Sequence, residues 1–119
     1  MTTARRVLGT LGEQAASESL EAQGYRILHR NYRVRSGEID IVCEHDGVLV
    51  FCEVKARTSA MFGLPEEAVT PSKCRRIRHL AAEYLHREHR RARTVRFDVI
   101  SVLVNSGVVR ELRHIPNAF

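Results

Sequence analysis

An Asp-Gly pair, Asp46-Gly47, separates two apolar segments, residues 38–44 and 48–56. Such a pair between apolar runs is the strongest short-range signal for a β-hairpin, since both turn positions need a positive φ. If Asp46-Gly47 forms the turn, residues whose numbers add to 93 face each other across the hairpin. The second strand is apolar on both faces, which predicts a central position in a sheet.

A helix and a strand are predicted before the hairpin. Residues 5–23 have helical periodicity, and Gly24 follows them as a stop signal. Residues 25–34 predict an arginine-rich strand that ends at the turn signal Ser36-Gly37. The predicted core stripe of the helix consists of Val7, Leu8, Leu11, Ala15 and Ala22.

A second helix is predicted after the hairpin. Residues 58–65 indicate a loop, and Thr70 and Pro71 then suit the N-cap and the first helical position. The helix should end near His89. Residues 95–104 predict a buried strand, and residues 108–115 predict an edge strand. The order αβββαββ predicts one α/β domain over residues 1–119. The expected core stripe of the second helix is Ile77, Leu80, Ala81, Tyr84 and Leu85.

Charge and composition restrict the kinds of partner and the cellular location that we expect for this chain. The net charge is +5, and arginine supplies 17 of the 19 basic residues, which favours a polyanionic partner without identifying it. No apolar segment reaches the roughly 20 residues that span a bilayer, and residues 1–11 lack a secretory hydrophobic segment. We therefore expect a cytoplasmic protein without membrane contact. The cysteines, Cys43, Cys52 and Cys74, lack a Cys-x-x-Cys pair and predict free thiols.

Four ionisable residues converge on one face of the predicted hairpin. Glu53 and Lys55 point to the same side of their strand, and the register sets Asp40 opposite Glu53 and Glu38 opposite Lys55. Two facing, partly buried carboxylates repel each other unless a cation neutralises them. Oxygen ligands in small number suit Mg²⁺ or Mn²⁺, which polarises a phosphate and helps generate hydroxide. Lys55 would orient the attacking water and stabilise charge in the transition state.

The same four residues also fit a cross-strand ladder of salt bridges on a solvated sheet face. The spacing alone leaves both interpretations open. Lys55 and Lys73 are the two lysines in a chain that otherwise uses arginine, which marks both positions as candidates for a specific role.

At these residues the sequence resembles the PD-(D/E)XK nucleases, the restriction endonuclease-like and Holliday junction resolvase-like group. Their signature is an aspartate on one strand and Glu-x-Lys on the next, and Asp40 and Glu53-Val54-Lys55 match it with 12 residues between. Over nearly its whole length the chain resembles the YraN family of small bacterial proteins. The shared motifs are Gly9-Thr10-Leu11-Gly12-Glu13, Arg30-Asn31-Tyr32-Arg33, Gly37-Glu38-Ile39-Asp40, Phe51-Cys52-Glu53-Val54-Lys55, Arg96-Phe97-Asp98 and Asn117-Ala118-Phe119.

The resemblance implies a mixed central sheet flanked by helices, a metal bound by Asp40 and Glu53, and Lys55 in the catalytic position. Resolvase-type relatives often add a glutamate of the first helix, which is Glu13 by motif, with Glu18 as the rival. It further implies a Mg²⁺-dependent nuclease acting on DNA, with branched or recombination intermediates as candidate substrates. A homodimer is a further expectation from the resemblance, although no residue pattern marks an interface.

Basic residues around this centre are the candidate nucleic-acid contacts, although a solvated helix face explains the run on the second helix equally well. Two other functions stay open. One is a non-catalytic nucleic-acid-binding module in a DNA repair, recombination or competence complex, and the other is a structural protein stabilised by the charged ladder. The candidate contacts are Lys73, Arg75, Arg76, Arg78, Arg33 and Arg57.

Overall fold

The structure, a computed structural model, describes residues 4–58, 70–91 and 94–119. Five strands form one sheet in the order β1-β2-β3-β4-β5, with β3 and β4 parallel and the other neighbours antiparallel. This mixed sheet and the order αβββαββ confirm the predicted restriction endonuclease-like fold. The elements are α1 (Ala4–Ala22), β1 (Arg26–Val34), β2 (Gly37–His45), β3 (Val48–Arg57), α2 (Pro71–Arg87), β4 (Thr94–Asn105) and β5 (Val108–Ile115).

The observed elements begin and end within two residues of the predicted ones. Of the loop predicted for residues 58–65, residues 59–65 lie outside the described ranges. In the described part of the chain, no helix is long and apolar enough to cross a membrane. Cys43, Cys52 and Cys74 are free thiols, as predicted.

The β2–β3 hairpin has the predicted turn and register. Asp46 and Gly47 have φ values of 50° and 77°, the left-handed values that a type I′ turn needs. The paired residues run from His45↔Val48 to Ile41↔Cys52, so their numbers add to 93. β3 is the middle strand of the five, which confirms its predicted central position.

One helix covers each face of the sheet. Phe51 of β3 packs in the core cluster that contains the buried residues of α2, and its neighbour Val50 packs in the cluster of α1. Because side chains alternate along a strand, the two clusters lie on opposite faces. α2 lies in the connection between the parallel strands β3 and β4, where a crossover is required.

The start and the core stripe of α2 agree with the prediction. Thr70 is the N-cap, Pro71 is the first helical residue, and the Lys73 backbone N–H donates to the Thr70 hydroxyl at 3.2 Å. Leu85 is only partly buried. The buried residues of α2 are Ile77, Leu80, Ala81 and Tyr84.

The predicted core stripe of α1 was partly wrong. Val7 is 46% exposed and Ala22 is also exposed, whereas three other members of the stripe pack at the margin of the core. These three are Leu8, Leu11 and Ala15. The residues that α1 buries are Gly12, Ala16, Ser17 and Leu20.

Small side chains dominate that buried stripe because α1 lies very close to β3. A Cβ atom built on Gly12 would stand only 2.6 Å from the Cβ of Ala56, far inside van der Waals contact. The helix can therefore approach β3 this closely only because residue 12 is a glycine. The stripe of large apolar residues therefore lies at the margin of the buried face and not at its centre.

A buried ionic network in the first half of β4 was not predicted. Asp98 is fully buried and accepts hydrogen bonds from the Arg96 guanidinium at 2.8 and 2.9 Å and from the Asn117 backbone N–H at 2.9 Å. His114 Nε2 lies 2.6 Å from the same carboxylate. Burial opposes ionisation, but these hydrogen bonds outweigh it and hold the Asp98 pKa below its usual value. The network fastens the residues after β5 to the sheet.

Candidate metal centre

β2 and β3 separate at the end of the sheet that carries the acidic residues. Their last registered pair is Ile41↔Cys52, after which β2 continues to Gly37 beside β1 and β3 continues to Arg57 beside β4. The predicted pairs Asp40 with Glu53 and Glu38 with Lys55 lie beyond this point and are not formed, so this part of the predicted register was wrong. The site is therefore a gap between diverging strands and not a flat ladder.

The alternation of β2 is broken at Asp40. Ile39 packs in the α2 cluster and Ile41 in the α1 cluster, although residues two apart on a strand normally share a face. On β1, Asn31 lies between the partners of these two residues and has a φ of 51°. Asparagine tolerates this left-handed conformation better than most residues. The irregularity directs the Asp40 side chain into the gap, where its Oδ2 accepts a 2.8 Å hydrogen bond from the Val54 backbone N–H.

Three carboxylates meet in this gap. Glu13 of α1 and Glu38 and Asp40 of β2 each present an oxygen, and these atoms lie within 4.8 Å of one another. The close contact of Gly12 with β3 places the next residue, Glu13, over the gap. Glu18, the rival position, is exposed and accepts a 2.8 Å hydrogen bond from the Gln14 side chain. Between these two alternatives, the geometry favours Glu13.

The environment of the gap raises the pKa of Asp40 to about 6. Burial is the largest cause, and the negative charges of Glu13, Glu53 and Glu38 act in the same direction. The hydrogen bond from Val54 opposes the shift but does not cancel it. At neutral pH the cluster thus carries an electrostatic penalty that a bound cation would relieve.

Glu53 borders the same gap but is paired with cations. Its Oε1 lies 3.1 Å from Lys55 Nζ and 4.0 Å from the Arg76 guanidinium of α2. Glu53, Glu38 and Asp40 together line a cavity of about 50 Å³. Glu53 and Lys55 share one face of β3, as predicted from strand alternation.

The donor set fits a small, hard cation. Carboxylate oxygens are the ligands that Mg²⁺ and Mn²⁺ prefer, whereas zinc sites use histidine and cysteine. A cavity of about 50 Å³ has room for an ion with a few waters, at roughly 10–15 Å³ for each water position. Glu13, Glu38 and Asp40 can contribute directly, and Glu53 can join them by releasing its cationic partners.

A family model described as "Uncharacterised protein family UPF0102" matches residues 12–102, which include every acidic residue of the gap. The chain belongs to the UPF0102 family. This membership confirms the predicted YraN-type relationship.

Three UPF0102 relatives show how far the similarity extends. The UPF0102 protein of Pelotomaculum thermopropionicum is 47% identical over the full length of both chains. That of Syntrophomonas wolfei is 47% identical over 96% of this chain and 98% of its own. That of Symbiobacterium thermophilum is 50% identical over 96% and 97%, respectively.

The predicted nucleic-acid contacts of this UPF0102 member occupy different environments. Arg33 is 85% exposed, and its Nε lies 3.5 Å from a carboxylate oxygen of Glu38. Arg75 is exposed on α2, whereas Lys73 in the first turn of α2 and Arg57 at the end of β3 are partly buried.

Arg78 is exposed, but its guanidinium packs against the core. Its guanidinium lies 4.8 Å from the centre of the Phe97 ring and donates to the backbone carbonyl of Phe119 at 3.3 Å. Of the arginines predicted on α2, Arg76 is the one that lines the gap.

Proposed function

We propose that this protein is a Mg²⁺- or Mn²⁺-dependent nuclease that hydrolyses phosphodiester bonds of DNA, with branched or recombination intermediates as candidate substrates. The observation that carries the proposal is the convergence of Glu13, Glu38 and Asp40 within 4.8 Å in a half-buried gap. Like charges held this close destabilise a fold unless they bind something positive. The resemblance of Asp40 and Glu53-Val54-Lys55 to the nuclease signature supports the same function.

The acidic residues and the lysine would have separate roles. Glu13, Glu38 and Asp40 would hold the ion, and Glu53 would join them after releasing its cationic partners. A divalent ion bound there supplies Lewis-acid polarisation of the phosphate and lowers the pKa of a water molecule. Lys55, whose Nζ lies 3.1 Å from Glu53, would orient the attacking water and stabilise negative charge on the phosphate in the transition state.

The charge distribution favours a large anionic substrate. The chain carries a net charge of +5, although its candidate centre is acidic. Arginines at the rim of an acidic centre attract a phosphate backbone, while the carboxylates keep a place for the cation. Such an arrangement suits hydrolysis of a nucleic acid better than simple binding of a cation.

The test is calorimetric titration of Mg²⁺ and Mn²⁺ into the wild type and Asp40→Asn, followed by incubation with labelled DNA. The panel contains single-stranded, duplex and four-way-junction DNA. Asparagine keeps an acceptor for the Val54 N–H but removes the charge, and Glu18→Gln is the matched control because Glu18 lies on the exposed side of α1.

We expect the wild type and Glu18→Gln to bind metal and cleave DNA, and Asp40→Asn to lose both properties. Absence of metal binding in the wild type would exclude the catalytic function. DNA binding that persists without cleavage, and that does not change in Asp40→Asn, would instead identify a non-catalytic nucleic-acid-binding module.

A further inference from the structure

Glu38 separates two cavities of very different size. The inner cavity, of about 50 Å³, also contains Asp40 and Glu53. The outer cavity has a volume of about 300 Å³ and lies at the turn between β1 and β2. The residues that line the outer cavity are Arg33, Val34, Arg35, Gly37 and Glu38.

These sizes determine what each cavity can hold. The inner cavity accommodates an ion and a few waters but no nucleotide. The outer cavity reaches the lower end of the roughly 300–1,000 Å³ range of small-molecule sites. A substrate phosphate that reaches the carboxylates must therefore belong to a molecule that lies outside them, against the rim.

An arginine stands at each end of the row of carboxylates. Arg33 pairs with Glu38 at 3.5 Å, and Arg76 lies 4.0 Å from Glu53. Their side chains are 85% and 59% exposed, so these ion pairs are weak and each guanidinium can exchange its carboxylate for a phosphate. Guanidinium groups bind phosphate through paired N–H donors, which makes arginine well suited to this exchange.

The turn that carries Arg33 and Arg35 is fixed against α2. The Ser36 hydroxyl donates a 2.6 Å hydrogen bond to Glu83, and the Arg87 guanidinium donates to the Arg33 backbone carbonyl at 3.1 Å. The backbone is thus held in place while the Arg33 and Arg35 side chains extend into solvent. A preorganised backbone lowers the entropy cost of binding a ligand at these two side chains.

We propose that Arg76 on one side, and Arg33 with Arg35 on the other, form two phosphate-binding positions that flank the carboxylates. The ligand is a polynucleotide strand that crosses the gap, with one phosphate at the carboxylates and a neighbouring phosphate at each arginine position. A strand offers separate phosphates for the carboxylates and for each arginine position, whereas an isolated phosphate ester offers only one. This assignment rests on the nuclease function proposed above and adds the path of the strand.

The test compares fluorescein-labelled single-stranded DNA of two lengths, a dinucleotide and an octanucleotide, by fluorescence anisotropy. Ca²⁺ replaces Mg²⁺ to limit cleavage. We expect Arg76→Ala and the double variant Arg33→Ala/Arg35→Ala each to weaken octanucleotide binding about tenfold, since each removes charge-assisted hydrogen bonds to a phosphate. The salt dependence should fall by about one unit for each arginine removed. Dinucleotide binding should change less, because a dinucleotide cannot occupy both positions.

Matched controls separate this path from general electrostatics. Arg91→Ala removes one exposed charge, and Arg91→Ala/Arg110→Ala removes two, at positions that line neither cavity. These controls should retain at least half of the wild-type affinity. Equal losses in test and control variants, or equal losses for both DNA lengths, would overturn the proposed path.

The failure of this path and the failure of the nuclease function give different results. If the wild type binds Mg²⁺ and cleaves DNA, but the test variants behave like their controls, the strand path is wrong and the nuclease stands. If the test variants selectively lose octanucleotide binding and the wild type never cleaves, the path stands and the catalytic function is wrong.

Discussion

The Val54 backbone N–H donates a 2.8 Å hydrogen bond to the Asp40 carboxylate at the point where β2 and β3 diverge. One acidic side chain thus supplies the acceptor that a paired strand would otherwise provide. The bond also fixes Asp40 among other carboxylates, with a pKa of about 6. The structural role and the electrostatic penalty of Asp40 can be separated by experiment.

The first prediction concerns the pH dependence of stability. Because the Asp40 pKa rises from 3.8 in the unfolded chain to about 6 in the fold, the folded state binds this proton more tightly. The resulting stabilisation is complete below pH 3.8 and is lost as the pH rises through 6, with a magnitude on the order of 3 kcal/mol. Asp40→Asn should remove this component, as measured by urea unfolding in chelator between pH 4 and pH 8.

The matched control for that prediction is Asp46→Asn. Asp46 is exposed in the β2–β3 turn, where asparagine also adopts the required positive φ. This variant should keep the wild-type pH profile. If Asp40→Asn shows the wild-type dependence of unfolding free energy on pH, Asp40 is not the source of the electrostatic penalty.

The second prediction concerns metal linkage. At neutral pH, Mg²⁺ at a hundred times its dissociation constant should stabilise the wild type by about 2.7 kcal/mol, because only the folded chain assembles the site. Glu13→Gln should lose most of this gain, and Glu18→Gln on the same helix should retain it. Thermal unfolding with Mg²⁺ or chelator measures the difference. Equal stabilisation of both variants would exclude Glu13 as a ligand.

The third prediction concerns the contact between α1 and β3. Gly12→Ala places a Cβ only 2.6 Å from that of Ala56, so the helix must move. We expect a loss of about 1–3 kcal/mol in the free energy of unfolding, together with weaker Mg²⁺ binding, since Glu13 moves with the helix. Denaturant unfolding and calorimetry measure the two effects.

Gly9→Ala is the control for this contact. A Cβ built on Gly9 meets no atom within 4 Å, so alanine should stabilise α1 by about 0.5–1 kcal/mol. Equal stability of Gly12→Ala and Gly9→Ala would contradict the close contact between Gly12 of α1 and Ala56 of β3.

The fourth prediction separates the buried network from the metal centre. Asp98→Ala leaves the Arg96 guanidinium and His114 without their carboxylate, and should cost about 3–5 kcal/mol of stability. At low temperature the folded fraction should still bind Mg²⁺ with wild-type affinity. The surface control Glu111→Ala should change stability by less than about 0.5 kcal/mol. A selective loss of metal affinity in Asp98→Ala would contradict this separation.

The fifth prediction concerns Lys55. Lys55→Arg keeps a positive charge beside Glu53, but its guanidinium is bulkier and stays protonated. We expect DNA cleavage to fall by at least about 100-fold in both Lys55→Arg and Lys55→Ala, with Mg²⁺ stabilisation retained. Single-turnover cleavage assays measure this effect. Full activity in Lys55→Arg would show that Lys55 contributes only its positive charge to cleavage.

Local signals predicted most of the fold. The Asp46-Gly47 turn set the hairpin register, and Thr70-Pro71 marked the start of α2 to the residue. Both signals act through one or two residues and their own backbone angles, so a single sequence is sufficient. The predicted core stripe of α1 was partly wrong because the helix contacts β3 at Gly12, which has no side chain. A hydrophobicity pattern does not mark such a position.

The candidate site was predictable only in part. Strand alternation placed Glu53 and Lys55 on one face, but the alternation is broken at Asp40, beside the left-handed residue Asn31 of another strand. The Asp98 network joins residues 16 and 19 positions apart, and sequence spacing cannot show such a contact. Arg78 is exposed, but its position over the Phe97 ring is a tertiary contact that the helix pattern could not show.

The acidic gap draws its side chains from both layers and the sheet between them. Glu13 comes from α1, Asp40 and Glu53 from separate strands, and Arg76 from α2. A nascent or partly folded chain in which either helix has not docked therefore lacks part of the proposed surface for the ion and the nucleic-acid strand. Under the proposed function, the chain could cut nucleic acid only after both helices have docked on the sheet. Partly folded chains would then not damage the DNA of the cell that makes them.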